Sequence, residues 1–363
     1  MILHCKISHK YSKFLDIFYI FVKILQRKNN PMRVIIDSAI PYIKGVLEPF
    51  ADVCYLPSNK IDSKSIKECD ALIIRTRTKC DKNLLDGSKI KFIATATIGT
   101  DHIDIPYCLS KRIVIASAGG CNARGVLQWV AAALKHICTT DNRSPEEYCL
   151  GVVGVGNVGS LVAEYATKWG FRVMKCDPPR AKREKSDEYY SIEELAQRCD
   201  IITLHTPLDE TTHHLVNGKH LDMMSPNATV INASRGGVVD NSEIVKRSNR
   251  YIFDVWENEP NITPDVLHKA TLATPHIAGY SKQGKANATT MAIRSLASFF
   301  GLPLMTWHPA EVEPTTPKDI SWQELCSTID RYCPISQQTQ QLKASPEAFE
   351  DMRNNYDYRE EYF

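Results

Sequence analysis

The sequence predicts an α/β protein with two doubly wound parallel-sheet domains in series, followed by a small C-terminal segment. Short β-rich runs alternate with helix-patterned segments from Met32 onward, and the alternation starts again after a long helix-like stretch that begins at Gly125. Strands that alternate with helices form parallel sheets covered by those helices. The chain has 363 residues, which is enough for more than one domain.

Four β-rich runs come first, and they predict the strands of the first domain. The segment between the first two runs, residues 40–50, has helical spacing and predicts a helix. The strand candidates are "RVIIDSAI" (33–40), "DALIIRTRT" (70–78), "IKFIATAT" (90–97) and "IVIASAG" (113–119).

Six further runs predict the second domain, after the helix-like "GVLQWVAAALKHIC" (125–138). The tail from Gly301 is rich in proline, glutamine and charge, which predicts a third small unit or an interaction arm. The six strand candidates are "CLGVVGVG" (149–156), "FRVMKCD" (171–177), "CDIITLHTP" (199–207), "ATVINASRG" (228–236), "YIFDVWE" (251–257) and "ATLATPHIAG" (270–279).

Residues 1–31 form a leader of uncertain status. The run from Phe14 to Leu25 is apolar, but it is short and is interrupted by Asp16 and Lys23, and no small-residue cleavage site follows it. It is therefore neither a good membrane span nor a good signal peptide. Two interpretations stay open, an accessory or misassigned leader and a surface amphipathic helix.

Charge and cysteine usage exclude several classes of function. With 44 basic and 42 acidic side chains, the chain has no basic footprint for a nucleic-acid backbone. Its 12 cysteines are scattered without a C-x-x-C pair. This pattern predicts reduced core thiols of a cytoplasmic protein and no metal site.

A glycine motif lies between a strand candidate and a helix candidate. Gly154, Gly156 and Gly159 follow an apolar run and precede a helix-patterned segment. Dinucleotide binding needs this order: one glycine for a tight turn, one for close approach of the pyrophosphate, and one for helix–strand packing. The helix N-terminus adds oriented N–H groups.

An acidic residue at the end of the next strand candidate supports this prediction. Asp177 lies 18 residues after Gly159, where a carboxylate binds the ribose hydroxyls and repels a 2′-phosphate. NAD is therefore favoured over NADP, although Arg180 and Arg183 stand nearby.

Three later stretches suggest the chemistry. Arg235 lies in "INASRGGVVDN", Glu259 in "DVWENEP" and His276 in "TPHIAGY". Each residue alone is ordinary, but an imidazole that exchanges protons near neutrality, a carboxylate that orients it, and an arginine that binds a carboxylate make a working set. Together with a nicotinamide, the set predicts hydride transfer at a 2-hydroxy acid.

The chain resembles the D-isomer-specific 2-hydroxyacid dehydrogenases over about residues 32 to 300. "CDPPR", "ASRGGVVDN" and "HIAGY" are typical of the erythronate-4-phosphate dehydrogenase branch, and the tail "AFEDMRNNYDYRE" is similar to its dimerisation segment. Other phrases that carry the resemblance are "IKFIATATIGTDHID", "GCNARGV", "GVVGVGNVG", "LHTPL" and "SKQGKA".

The resemblance implies a flavodoxin-like substrate domain formed by residues 32–122 and 277–300. A Rossmann NAD-binding domain, residues 123–276, would be inserted in it, with catalysis in the cleft between the two. Residues 301–363 would form a C-terminal dimerisation segment of a homodimer. The implied activity is NAD-dependent oxidation of 4-phospho-D-erythronate to (R)-3-hydroxy-2-oxo-4-phosphobutanoate in vitamin B6 biosynthesis.

The resemblance also implies roles for individual residues. Arg235 would bind the substrate carboxylate, His276 would take the proton of the 2-hydroxyl, and Glu259 would hold the imidazole. The implied cofactor-binding residues are Gly154, Gly156, Asn157, Val158, Gly159, Asp177, Thr206, Ala233, Ser234, Arg235, Asp254 and Gly279. The implied substrate-binding residues are Thr76, Thr95 and Tyr280, with Arg75 and Arg77 as candidates for the phosphate. Arg353 or Arg359 of the tail, from the same chain or from a partner subunit, are further candidates for it.

One departure and two alternatives accompany this interpretation. The segment 242–250 is shorter than is usual in the family, so a compensating strand shift would move Glu259 away from His276. Another 2-hydroxy acid, such as 3-phosphoglycerate, is an alternative substrate. An NAD-sensing binding protein related to corepressors of the same family is the alternative outside the enzymes.

Overall fold

The computed structural model describes residues 31–363, so the predictions made for residues 1–30 lie outside it. The chain divides into two compact units. Within the described residues, the first contains the chain up to Cys121 together with Ala286–Glu311, and the second contains Asn122–Lys285 together with Val312–Phe363. The segment predicted over 301–363 is thus divided between the two units.

Strands and helices alternate through most of both units. The strands are β1 (Met32–Asp37), β2 (Ala51–Leu56), β3 (Ala71–Ile74), β4 (Phe92–Thr95), β5 (Val114–Ser117), β6 (Cys149–Val153), β7 (Arg172–Cys176), β8 (Ile201–Leu204), β9 (Thr229–Asn232), β10 (Arg250–Phe253) and β11 (Leu272–Ala273). The helices are α1 (Lys82–Leu85), α2 (Ile105–Ser110), α3 (Ala123–Asp141), α4 (Asn157–Lys168), α5 (Pro178–Glu184), α6 (Ile192–Arg198), α7 (Gly218–Met223), α8 (Asn241–Ile244), α9 (Pro264–Lys269), α10 (Lys282–Phe300), α11 (Trp322–Tyr332), α12 (Ile335–Ala344) and α13 (Phe349–Asn354).

The first unit is built on a five-stranded parallel sheet in the order β2-β1-β3-β4-β5. β3 and β4 are buried along their whole length, as expected for strands covered on both faces. On one face, Ile36 and Ile73 pack in a cluster with Ile293 of α10. On the other face, Leu72 packs in a cluster with Leu84 of α1.

Residues 40–50 form successive turns, so the helix predicted there is wrong. Tyr42 and Gly45 have positive φ angles of 62° and 83°, which an α-helix does not accept. Pro41 and Pro49 also remove backbone donors. The strand β2 that follows was not predicted; it lies at the edge of the sheet with side chains that are only half buried.

The second unit is built on a six-stranded parallel sheet in the order β11-β10-β9-β8-β6-β7. The strand order reverses between β6 and β8, the point where a doubly wound sheet binds a dinucleotide. Trp129 of α3 and Leu150 lie in the core of one face, and Leu195 of α6 and Val230 in that of the other. The predicted pair of doubly wound parallel-sheet domains is confirmed.

The C-terminal helices pack on the second unit. Leu325 and Ile329 of α11 are fully buried in the same core as Trp129, and Phe363 at the end of the chain joins them. Leu342 of α12 enters the core on the opposite face of the sheet. Within residues 31–363, no helix combines the length and the apolar character needed to cross a membrane.

Candidate active site

The glycine loop joins β6 to α4 at the strand-order reversal. Gly154 has φ +81°, and a Cβ added there would lie 2.7 Å from the carbonyl oxygen of His205. A Cβ at Gly159 would lie 1.9 Å from the carbonyl oxygen of Gly154, whereas one at Gly156 would meet no atom within 4 Å. The loop is therefore closed against the protein at two glycines and open at the third, which fits the approach of a pyrophosphate to the backbone.

Asp177 follows β7 and holds the glycine loop. Its Oδ2 accepts the N–H of Val155 at 2.8 Å, and its Oδ1 accepts the N–H of Arg180 at 2.9 Å as the N-cap of α5. The carboxylate is half-buried at the edge where β6 and β7 end side by side. A carboxylate in this place can also accept hydrogen bonds from ribose hydroxyls.

Two neighbours complete this part of the site. Arg180 donates to the carbonyl of Val155 and pairs with Glu184 at 2.7 Å, so part of its charge is matched within the protein. Thr206 follows β8 at the same edge, and its buried Oγ1 has no hydrogen-bond partner among the described residues. A buried hydroxyl without a partner beside the glycine loop is a feature that a bound ligand can satisfy.

Arg235 lies in the loop after β9, and this loop is fixed by Asn232. The Asn232 amide donates to the carbonyl of Arg235 at 2.9 Å, and its oxygen accepts from the N–H and the hydroxyl of Ser234. A Cβ at Gly236 would lie 2.0 Å from the backbone of Trp256. The loop thus packs directly on the segment that carries Glu259.

His276 and Glu259 form a hydrogen-bonded pair, with 2.7 Å between Nδ1 and Oε2. The other carboxylate oxygen of Glu259 accepts the N–H of Trp256 at 2.8 Å. Because Nδ1 donates to the carboxylate, Nε2 is the ring nitrogen left for proton exchange. The shortened segment 242–250 thus leaves this pair intact.

Charge and backbone geometry set up this pair. Burial acts to raise the pKa of the Glu259 carboxyl, but the His276 ring and the Trp256 N–H outweigh it and bring the pKa below its ordinary value. His276 has φ +56°, a strained conformation for this residue, and its N–H donates to the Asp254 carbonyl at 2.7 Å.

Asp254 is only 1% exposed and organises the turn after His276. Its carboxylate accepts the N–H groups of Ile277 at 2.8 Å and Ala278 at 2.9 Å, and the hydroxyl of Thr274 at 2.6 Å. Burial raises the pKa of this carboxyl, and the charge of the His276 ring together with the hydrogen bonds offsets the rise only in part. A contact of Asp254 with the nicotinamide stays a prediction.

The remaining substrate candidates lie in the first unit, except Tyr280. Arg75, Thr76 and Arg77 follow β3, and Thr95 ends the neighbouring strand β4. Arg75 Nε pairs with Asp37 Oδ2 at 3.1 Å, so an acid at the end of β1 orients it. Thr95 is buried with its Oγ1 2.6 Å from that of Thr97, while Thr76 and Arg77 are exposed. These candidates gather at the carboxyl edge of the first sheet.

The C-terminal tail reaches the segment after His276 in the second unit. Arg359, a candidate for the phosphate, is 8% exposed, and its guanidinium donates to the carbonyls of Ile277, Ala278 and Gly125. Gly279 packs so closely that a Cβ would lie 1.9 Å from the Asn122 amide. The support from Thr274 to Asp254 was not predicted, because no residue pattern links a threonine to a carboxylate 20 residues earlier.

Residues 128–278 match the family model described as D-isomer specific 2-hydroxyacid dehydrogenase, NAD binding domain. Erythronate-4-phosphate dehydrogenase of Bacteroides thetaiotaomicron is 42% identical over 340 residues, covering 91% of this chain and 97% of that protein. The enzyme of the same name from Porphyromonas gingivalis is 34% identical over 349 residues, covering 91% and 94%.

Solved structures share the fold. NAD-bound 3-phosphoglycerate dehydrogenase of Entamoeba histolytica matches with a TM-score of 0.64 and 23% identity, covering 78% of this chain and 100% of that one. D-lactate dehydrogenase of Aquifex aeolicus, complexed with NAD and lactic acid, matches with a TM-score of 0.61 and 24% identity, covering 74% and 95%.

Proposed function

Because the chain belongs to the erythronate-4-phosphate dehydrogenases, within the D-isomer-specific 2-hydroxyacid dehydrogenases, we propose that it oxidises 4-phospho-D-erythronate to (R)-3-hydroxy-2-oxo-4-phosphobutanoate. It is an NAD-dependent oxidoreductase. The observation that carries the proposal is the hydrogen bond between Glu259 and His276, next to the loop that presents Arg235.

His276 acts as the general base in this proposal. Its Nε2 takes the proton of the substrate 2-hydroxyl, while Glu259 stabilises the imidazolium through the hydrogen bond to Nδ1. When bound, NAD supplies the acceptor for the hydride that leaves C2 of the substrate. The products are then the 2-oxo acid, the reduced cofactor and a proton that His276 passes on to solvent.

Arg235 orients the substrate. A guanidinium can bind a carboxylate through two parallel hydrogen bonds, which fixes C2 and its hydroxyl in one direction. The bonds of Asn232 to Arg235 and Ser234 limit the movement of the loop, and an ordered loop lowers the entropy lost when the substrate binds. Arg75 and Arg77 are our candidates for the 4-phosphate.

The cofactor would be held at the carboxyl edge of the second sheet. Gly156 leaves space for the pyrophosphate, and Asp177 accepts hydrogen bonds from the ribose. A 2′-phosphate would meet this carboxylate, and the guanidinium of Arg180 is already paired with Glu184. These contacts support a preference for NAD over NADP.

We also propose a homodimer and a cytoplasmic location. The family resemblance of the tail supports the homodimer. The cysteines of the described part of the chain, from Cys54 to Cys333, form no disulfide bonds and most of them are buried, which supports a reducing compartment.

The test compares 4-phospho-D-erythronate, D-3-phosphoglycerate and unphosphorylated D-erythronate as substrates of the purified protein, with reduction of NAD followed by absorbance. We expect a clear preference for the first. A preference for D-3-phosphoglycerate would assign another substrate, and tight NAD binding without reduction would favour a binding protein related to corepressors.

Substitution of the base tests the mechanism. His276→Ala should lower kcat by about 10²-fold or more, because general base catalysis contributes on that order. Its affinity for NAD, measured by fluorescence, should stay near that of the wild type. His268→Ala, an exposed histidine on α9, is the matched control and should keep full activity. Unchanged turnover of His276→Ala would remove His276 from the mechanism.

A further inference from the structure

The C-terminal tail places an arginine against a side chain of the candidate active site. Arg353 lies on α13, and its Nε donates to the hydroxyl oxygen of Tyr280 at 3.1 Å. Tyr280 is the fourth residue after His276, on the segment whose turn Asp254 holds. The Arg353 side chain is only 19% exposed, so this contact lies within the fold of the second unit.

The hydrogen bond from Arg353 sets the direction of the Tyr280 hydroxyl. An arginine can only donate, so the phenol oxygen is the acceptor and its own O–H must point away from the guanidinium. A tyrosine held in this way presents a donor in a fixed direction. Such a donor suits an anionic or carbonyl oxygen of a bound hydroxy acid.

The ring of Tyr280 is held as well as its hydroxyl. The Nζ of Lys285 lies 3.7 Å from the centre of the ring, which is a favourable cation–π distance. The rings of Tyr356 and Tyr358 meet the ring edge to face at 6.1 Å and 6.0 Å. Two of these partners come from the tail, so the tail determines where the phenol lies.

The positive charge of Arg353 also acts on the carboxylate of Glu259. Burial and the His276 ring have the largest effects on the pKa of the Glu259 carboxyl, and the Arg353 guanidinium adds to the lowering. Glu350 is the ion-pair partner of Arg353 at 3.8 Å. Charge from the tail thus supports the ionised form of Glu259, which is the form that holds His276.

A separate arginine anchors the backbone of this segment. Arg359 donates to the carbonyl groups of Ile277 and Ala278, and its own carbonyl accepts the N–H of Lys282 at 3.0 Å. Since Arg359 holds the main chain, loss of the Arg353 side chain should leave the fold in place. The two arginines therefore have separable effects.

We infer that Arg353 is a positioning residue for the dehydrogenase reaction: it fixes Tyr280 so that the phenol O–H donates to the bound 2-hydroxy acid. Substrate binding in the second unit then depends on the C-terminal tail of the same chain. The inference rests on the proposed function, because the contact of Tyr280 with the substrate is part of it.

A double-mutant cycle tests this inference with Arg353→Met, Tyr280→Phe and both together. Arg353→Met should raise the KM for 4-phospho-D-erythronate about tenfold, with a smaller change in kcat, because it removes a charge-assisted hydrogen bond. The double variant should be no worse than Tyr280→Phe. Arg353→Lys should recover part of the loss, because lysine keeps the charge and a donor.

Three controls separate positioning from other effects. Arg331→Met changes an exposed arginine of α11 and should behave as the wild type. The KM for NAD and the thermal unfolding temperature should stay the same in Arg353→Met. The KM of Arg353→Met for unphosphorylated D-erythronate should rise by the same factor as its KM for the phosphorylated substrate. If Arg353→Met unfolds, the cycle is repeated with Arg353→Lys.

Several outcomes would overturn the inference. Equal losses from Arg353→Met in the wild-type and Tyr280→Phe backgrounds would mean that Arg353 acts without Tyr280. A loss confined to the phosphorylated substrate would make Arg353 a phosphate ligand instead. An active wild type with a fully active Arg353→Met would refute the inference alone, whereas a wild type that oxidises none of the acids would refute the proposed function together with it.

Discussion

Replacement of Glu259 by glutamine tests the centre of the proposed mechanism. The side chain keeps its size but loses its charge. An amide offers one acceptor, whereas the carboxylate accepts from both His276 Nδ1 at 2.7 Å and the Trp256 N–H at 2.8 Å. One of the two donors is then left without a partner, which costs about 1–3 kcal/mol of stability.

The larger effect is on the transition state, in which His276 acquires a positive charge. A carboxylate about 4 Å from that charge stabilises it by about 4 kcal/mol at an effective dielectric constant near 20. The side chains of His276 and Glu259 are 27% and 18% exposed, so water screens part of this interaction. We retain about 3 kcal/mol, which corresponds to a loss of about 10²-fold in kcat.

The assay is steady-state reduction of NAD at saturating substrate, together with thermal unfolding of each variant. Glu257→Gln is the matched control, because Glu257 lies two residues earlier and bonds His214 and the Asn241 N–H rather than His276. We expect Glu257→Gln to stay within about threefold of the wild-type kcat. A Glu259→Gln variant that is folded and equally active would refute the role of the carboxylate.

Three further predictions concern the cofactor site and stability. In Gly159→Ala the new methyl group would lie 1.9 Å from the Gly154 carbonyl oxygen. We therefore expect a lower unfolding temperature by calorimetry and weaker NAD binding by fluorescence. An unchanged unfolding temperature and NAD affinity would refute the close packing at this glycine. Asp177→Asn should raise the KM for NAD about tenfold, because one hydrogen bond to a charged group is worth about that factor, and it should reduce the preference for NAD over NADP. A variant with the same ratio of kcat/KM for NAD to kcat/KM for NADP as the wild type would contradict this prediction. Arg250 hydrogen-bonds Asp141 and lowers its pKa, so this pair stabilises the fold above about pH 4 and its contribution is lost on further acidification. Asp141→Asn should therefore be less stable than the wild type at neutral pH, with the difference shrinking in acid titrations of the unfolding midpoint.

Local patterns were sufficient for much of the fold. The runs that became β3, β4, β6 and β8 are short, apolar and bounded by turn residues, so they predict buried parallel strands wherever they lie. The glycine loop was equally predictable, because its three glycines act within one turn and one helix start. Residues 40–50 show the limit of this reasoning. Their apolar residues have helical spacing, but the spacing does not reveal the positive φ angles of Tyr42 and Gly45, which exclude a helix.

The candidate site was predictable in its parts but not in its connections. Arg235, Glu259 and His276 each follow a strand end or lie in a nearby loop, and the resemblance to a family assigned them roles. Spacing alone does not show that the Glu259 carboxylate hydrogen-bonds His276, 17 residues later, and does not face solvent instead. That contact depends on how two loops pack once the strands before them are paired.

The amino-acid sequence by itself determined the doubly wound class, the glycine loop and the order of the site residues, because strand and turn preferences act over a few neighbouring residues. The tertiary structure alone decided that Asp254 is buried beneath the turn of His276, and that Arg353 and Arg359 bind the segment from Ile277 to Tyr280. Arg359 and Ile277 are 82 residues apart. Contacts over such separations form only when burial of the whole core outweighs the entropy of closing the intervening chain, so no local pattern encodes them.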